Sequence, residues 1–131
     1  MSTLVDANVL LDIVTEDERW MAWSADALAS AAAQGELVIN PVVYAEVSLA
    51  YDTIEALDSA LQELRRLPLP YEAGFLAARC YLRYRNAGGS RRSPLPDFYI
   101  GAHAAVEGHD LLTRDSSRYR SYFPRLDVIS P

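Results

Sequence analysis

Short apolar runs that do not alternate with polar residues recur along this chain, each separated from the next by helical periodicity. Thr3-Leu4-Val5, Leu37-Val38-Ile39, Leu111-Leu112-Thr113 and Val128-Ile129 are the runs, and they read as buried strands. Between the first two, Asn8 to Val14 carries Val9, Leu10, Ile13 and Val14 at helical spacing. Asp17-Glu18 then opens a second helix through Trp20, Trp23, Ala27, Leu28 and Ala31, which Gly35 ends. Pro41 starts a third helix with Val43, Glu46, Val47 and Ala50. A fourth runs from Thr53, with Leu57, Leu61 and Leu64 inward, until Pro68 and Pro70 break it. Val47, Leu49 and that Leu row form one expected apolar hairpin. Tyr71 to Asn86 is a fifth helix, and Pro96-Asp97 begins a sixth after the loop Gly88 to Pro94. Strand and helix in alternation predict a parallel α/β sheet with helices on both faces, as a single domain over residues 1–131.

Composition narrows the class. A length of 131 residues, half of them apolar, supports a real core without staples. No apolar run approaches the roughly 20 residues of a membrane span, and Met1 to Asp6 lacks a basic region followed by an apolar stretch, so a cytoplasmic protein without a signal peptide is expected. Cys80 is the only cysteine, which excludes an internal disulfide and a Cys-based zinc site. The net charge of −6 argues against a nucleic-acid partner, but the charge is uneven. Residues 1–78 hold three Arg and thirteen acids, residues 79–131 nine Arg and five acids, and there is no Lys. A basic back half suits an RNA-binding face, and equally an acidic protein segment.

Four carboxylates stand where a solvated face would not put them. Asp6 closes Thr3-Leu4-Val5, Glu46 interrupts Val42-Val43-Tyr44-Ala45-Val47, Asp97 opens an apolar helical run, and Asp115 follows Leu111-Leu112-Thr113. In an open parallel sheet the functional crevice lies outside the carboxyl ends of the strands. Asp6 and Asp115 fall just past two such ends, Asp97 lies in a helix's first turn, and Glu46 can reach the same rim from the side. Taken singly, Asp6, Asp97 and Asp115 are more often caps. If they converge, each pair about 4 Å apart repels by roughly 4 kcal/mol at an effective dielectric near 20, so the cluster persists only around divalent cations. Carboxylates without clustered Cys or His form the hard-oxygen set that Mg2+ or Mn2+ prefers. Such a set fits two-metal hydrolysis of a phosphodiester.

The stretches Val5-Asp6-Ala7-Asn8-Val9-Leu10-Leu11-Asp12, Asn40-Pro41-Val42-Val43-Tyr44-Ala45-Glu46-Val47, Leu95-Pro96-Asp97-Phe98-Tyr99-Ile100-Gly101-Ala102-His103-Ala104 and Leu111-Leu112-Thr113-Arg114-Asp115 resemble, in order and spacing, the motifs of the PIN-domain ribonucleases. The match is best with the VapC toxin branch of bacterial toxin–antitoxin pairs and spans nearly the whole chain. The resemblance implies a compact three-layer α/β/α fold and a Mg2+ or Mn2+ site held by Asp6, Glu46, Asp97 and Asp115. It also implies cleavage of a structured RNA such as a transfer or ribosomal RNA, inhibition by a cognate VapB-like antitoxin, and a homodimer.

Around these acids, Thr113 can hydrogen-bond a ligand carboxylate, and Asn8 can orient Asp6 or only cap the first helix. Arg91 and Arg92 precede Asp97 in a Gly/Ser/Pro-flanked loop and can grip phosphates, although a solvated loop fits nearly as well; Arg114, Arg118 and Arg120 share that ambiguity. His103 and His109 read as packed or surface residues, Asp12 as solvent-facing or bordering the site, and Tyr119, Tyr122, Phe123 and Pro124 as pins for the last strand, with stacking on bases as the alternative. Trp20, Trp23 and the Leu57-Leu61-Leu64 row predict an apolar groove for an amphipathic antitoxin helix. An aspartyl-nucleophile phosphatase would need a second Asp two residues after the first, where Asn8 stands. A noncatalytic RNA- or protein-binding module on the same fold is the rival from another class.

Overall fold

A computed structural model describes residues 1–131. Its sheet has five parallel strands, β1 (Ser2–Val5), β2 (Glu36–Ile39), β3 (Arg65–Arg66), β4 (Asp110–Leu112) and β5 (Val128–Ile129), in the order β3-β2-β1-β4-β5. Seven helices flank it in an α/β/α arrangement: α1 (Ala7–Val14), α2 (Met21–Gln34), α3 (Pro41–Ser48), α4 (Ile54–Ala60), α5 (Tyr71–Asn86), α6 (Pro96–Glu107) and α7 (Ser117–Tyr122). Leu4 lies beside Val38 on one side and Leu111 on the other, and all three are fully buried. Cover on both faces is why the central strands are continuously apolar. From β1 the chain steps outward to β2 and β3, then crosses back to β4 and β5. Strand order therefore reverses between β1 and β4, and the carboxyl ends part there into a crevice.

Helix ends follow local chemistry. Asn40 Oδ1 accepts from Val43 N at 3.0 Å, and Pro41 fills the first turn of α3. Thr53 Oγ1 accepts from Ala56 N at 3.2 Å at the start of α4. Gly108, at φ 73°, ends α6 in the left-handed conformation. The second helix starts later than its sequence pattern implies, because Asp17 Oδ1 takes the backbone N–H groups of Arg19 and Trp20 at 2.9 and 2.8 Å and holds a turn before Met21.

Several sequence expectations are corrected. β3 and α7 were not expected. Leu49 is 89% exposed and joins no hairpin, while Leu57, Leu61 and Leu64 lie in the core. The Leu row is thus unavailable to a partner. Half-buried Trp20 and Trp23, edge to face at 6.5 Å, are what remains of the predicted groove. Cys80 is buried and unpaired, and no helix is long and apolar enough to cross a membrane.

Close packing at Gly101 generates a test. A Cβ there would stand 2.3 Å from the ring of Phe123, which is itself buried, whereas a Cβ on Gly74 of α5 meets nothing within 4 Å. Ala improves on Gly in a helix by about 1 kcal/mol where space is free, and overpacking a core costs about 1–3 kcal/mol. Gly74→Ala should raise the urea midpoint and Gly101→Ala should lower it. A raised midpoint for both would mean that the Phe123 ring yields.

Candidate metal centre

Asp6 enters the crevice because the β1–β4 ladder continues into it: its backbone N donates to Leu112 O at 2.9 Å. Its carboxylate is 5% exposed, and Oδ2 accepts from two hydroxyls, Thr113 Oγ1 at 2.9 Å and Tyr119 OH at 2.8 Å. Both donors land on one oxygen, and Oδ1 accepts from neither. Asp6 stands at the N-cap position of α1, yet its side chain makes no capping bond. The Tyr119 hydroxyl also lies 3.3 Å from Asp97 Oδ1 and so ties the carboxylate of α6 to that of β1. Glu46, from α3, brings up a buried Oε1 that has no hydrogen-bond partner. Asp115 sits at the exposed rim, where Oδ1 accepts from Ser117 Oγ at 3.1 Å.

Thr113 and Asn8 form the frame. Asn8 Nδ2 donates to Thr113 Oγ1 at 3.2 Å, and Asn8 Oδ1 accepts from Arg114 N at 3.1 Å. Asn8 therefore clamps the end of β4 to α1 and reaches Asp6 only through Thr113. Arg114 is engaged as well: Nε donates to Asp12 Oδ2 at 2.8 Å, and its guanidinium lies 5.6 Å from the centre of the Trp20 ring. Asp12, expected in solvent, is 3% exposed and accepts a second bond from buried Ser24 Oγ at 2.8 Å. Arg118 Nη1 lies 3.5 Å from Asp97 Oδ2. Arg91 and Arg92 are exposed in the loop before Asp97, and Arg120 donates to Ser116 Oγ and Ser130 Oγ at 3.2 Å each.

A second group of potential ligands lies near the amino ends of β1 and β4, where atoms of His103, Glu107 and His109 fall within 4.8 Å of one another. Hydrogen-bond polarity argues against a cation there. Asn40 Oδ1 is taken by Val43 N, so Asn40 Nδ2 faces His103 Nδ1 at 3.0 Å and that nitrogen accepts. Nε2 then carries the proton and donates to Glu107 Oε1 at 2.7 Å, leaving no lone pair for a metal. His103 is fully buried, as a packed histidine.

The crevice has the electrostatics of a cation site. Burial pushes Asp6 up to about 6, and the charge of Asp97 adds to this while the Tyr119 and Thr113 hydroxyls oppose it. Burial pushes Glu46 up to about 7, followed by repulsion from Asp6 and Asp97. Asp97 is raised by burial and held back by Arg118 and Tyr119. Tyr119 is raised well above the ordinary phenol value by burial and by these acids, which keeps it a proton donor. An orphaned buried carboxylate oxygen among like charges fits a hard divalent cation with oxygen ligands. Tyr119 is the residue that sequence reasoning did not assign to the site. Its one signal is position, a helical turn after Asp115.

These shifts fix the sign of a pH effect. Burial lifts Asp6 to about 6 from the ordinary 3.8 of an unfolded chain and Glu46 to about 7 from 4.5, so the folded chain holds more protons across that window. Their stabilising contribution is complete below the unfolded values and is lost as pH rises through 6 and 7. Without divalent cations, the melting temperature of the wild type should fall relative to that of Asp6→Asn as pH rises over this range, and Mn2+ should reverse the trend. A difference between the two proteins that does not change with pH would rule out the shared burial of these charges.

The PIN domain family matches residues 3–124. No curated protein matches. Among solved structures the chain is similar to VapBC2 from Rickettsia felis bound to a promoter DNA fragment, at 17% identity and a TM-score of 0.75, covering 100% of this chain and 99% of that one. It is similar to VapBC-1 from nontypeable Haemophilus influenzae at 15% identity and a TM-score of 0.74, covering 99% and 98%. FitAcB from Neisseria gonorrhoeae matches at 20% identity and a TM-score of 0.68, covering 97% and 96%. At such identities the likeness is one of fold, and the family match is what classifies the sequence. The chain that brings Asp6, Glu46, Asp97 and Asp115 to one crevice belongs to the PIN domain family.

Proposed function

We propose that this chain is the toxin of a VapBC-like pair, a Mg2+- or Mn2+-dependent endoribonuclease that cuts a structured RNA such as a transfer or ribosomal RNA. The observation that carries the reading is the donorless Glu46 Oε1, buried beside Asp6 and Asp97 where strand order reverses. Asp6, Glu46, Asp97 and Asp115 would hold the cations, whose Lewis acidity would serve a two-metal hydrolysis leaving a 5′ phosphate and a 3′ hydroxyl. The chain's own part is positional. Two hydroxyls engage Oδ2 of Asp6 and leave Oδ1 for ligation, while Tyr119 spans Asp6 and Asp97 and remains protonated.

Arg91 and Arg92 are readied for phosphates. Tyr81 OH and Arg85 Nη1 donate to Arg91 O at 3.1 and 3.2 Å, and Tyr84 OH accepts from Ser90 N and Arg91 N at 3.2 and 3.3 Å. The backbone of the loop is thus held by α5, while neither guanidinium bonds within the protein. The chain is also similar in fold to a toxin–antitoxin complex from Klebsiella pneumoniae, which supports a VapB-like antitoxin as the inhibitor. An exposed stripe on α5, Tyr71, Phe75 and Leu82, supports a homodimer. The same reading puts the protein in the cytoplasm with its substrate.

Protein freed of antitoxin should cleave RNA with Mg2+ or Mn2+ and stop when EDTA is added. Asp6→Asn, Glu46→Gln and Asp97→Asn should each lose most turnover. Tyr119→Phe should bind Mn2+ about 10–100-fold more weakly by calorimetry. Undiminished cleavage in EDTA would overturn the metal mechanism.

A further inference from the structure

Two depressions share a border beside the carboxylates. One, of about 380 Å³, opens on Asp97 and Asp115 and is walled by Tyr84, Arg118, Ser121 and Tyr122. The next, of about 560 Å³, is lined by Arg83, Asn86 and Ala87 together with the same Ser121 and Tyr122. Ser121 and Tyr122 border both, so the two depressions adjoin as a channel leading from the crevice along the seam of α5 and α7. Its walls are fixed to the residue after Asp97: buried Phe98 packs edge to face against Tyr84 at 5.8 Å and against Tyr122 at 5.0 Å. Arg83 lies over the Tyr122 ring at 5.2 Å, and Arg118 stands at the mouth.

From this juxtaposition we propose that a single RNA strand leaves the carboxylates along the α5–α7 channel, with Arg83 and Arg118 on its phosphates and Tyr122 as a face for a base or ribose. The inference rests on the ribonuclease reading and adds a direction to it. A channel that is acidic only at its catalytic end, and cationic and aromatic beyond, suits a polyanion whose scissile phosphate arrives with cations and whose flanking phosphates need arginine. Tyr84 also carries the Arg91 and Arg92 loop on its hydroxyl, so both banks of the channel are basic and share one anchor.

The test uses the full chain carrying Asp6→Asn, so that binding is read without cleavage, and a fluorescent single-stranded RNA oligonucleotide. Adding Arg83→Ala with Arg118→Ala should weaken binding at least tenfold and lower the log–log salt slope by about 1.4, roughly 0.7 for each lost contact. Ser121→Glu, which puts a carboxylate on the channel wall, should also weaken binding tenfold. Arg125→Ala, near the amino end of β4, should stay within twofold. RNA binding that ignores Ser121→Glu and the double substitution overturns the channel, and if the wild type still cleaves RNA the ribonuclease reading survives. Channel-dependent binding by a protein that never cleaves RNA upholds the channel and overturns the ribonuclease reading. Binding of polyglutamate in place of RNA overturns the channel as an RNA path, and cleavage by the wild type again decides the ribonuclease reading.

Discussion

The parallel pairing of β1 with β4 is the interaction on which the site depends. Its register sets Val5 beside Leu112, and the bond from Asp6 N to Leu112 O carries the ladder one residue past the strand. Thr113 is thereby placed opposite Asp6, where its hydroxyl reaches Oδ2. A one-residue slip would turn every side chain of β1 to the other face and send the Asp6 carboxylate away from its partners. The crevice and the four-acid site thus rest on apolar contacts among Leu4, Val5, Leu111 and Leu112, none of which carries chemistry.

Much of this was legible in the sequence, because unbroken apolar runs report cover on both faces and acids at their ends report a rim. What escaped has identifiable causes. β3 is two exposed arginines on the outer edge of β2, held by backbone pairing that leaves no apolar trace. Asp12 looked solvated because helical periodicity reports only its own helix, and its burial is made by Arg114 from the far end of the chain and by Ser24. Tyr119 gave no pattern beyond its spacing from Asp115. The Leu57-Leu61-Leu64 row was read as both core and partner surface, since composition counts apolar residues without locating them; it is core.

The acidic balance looks different once charges are assigned to neighbours. Arg65 pairs with Glu36 and Arg66 with Asp58, which uses two of the three arginines in the acidic front half, and Arg114 is committed to Asp12. Arg83, Arg91 and Arg92 of the basic back half have no carboxylate partner, and Arg118 touches only Asp97. The local field around the carboxylates is therefore set by free arginines and not by the net charge of the whole chain.

Asp6 is made first and completed last. The two hydroxyls that hold its carboxylate lie 107 and 113 residues further along the chain, and its sheet neighbour β4 is equally remote. Such long-range closure cannot precede synthesis of the segment that supplies it. A nascent chain emerging from a ribosome carries Asp6 for most of its translation without the strand, the hydroxyls or the other carboxylates that complete the crevice. Sequence order alone thus delays completion of the crevice until the segment through Tyr119 has been made and released to fold.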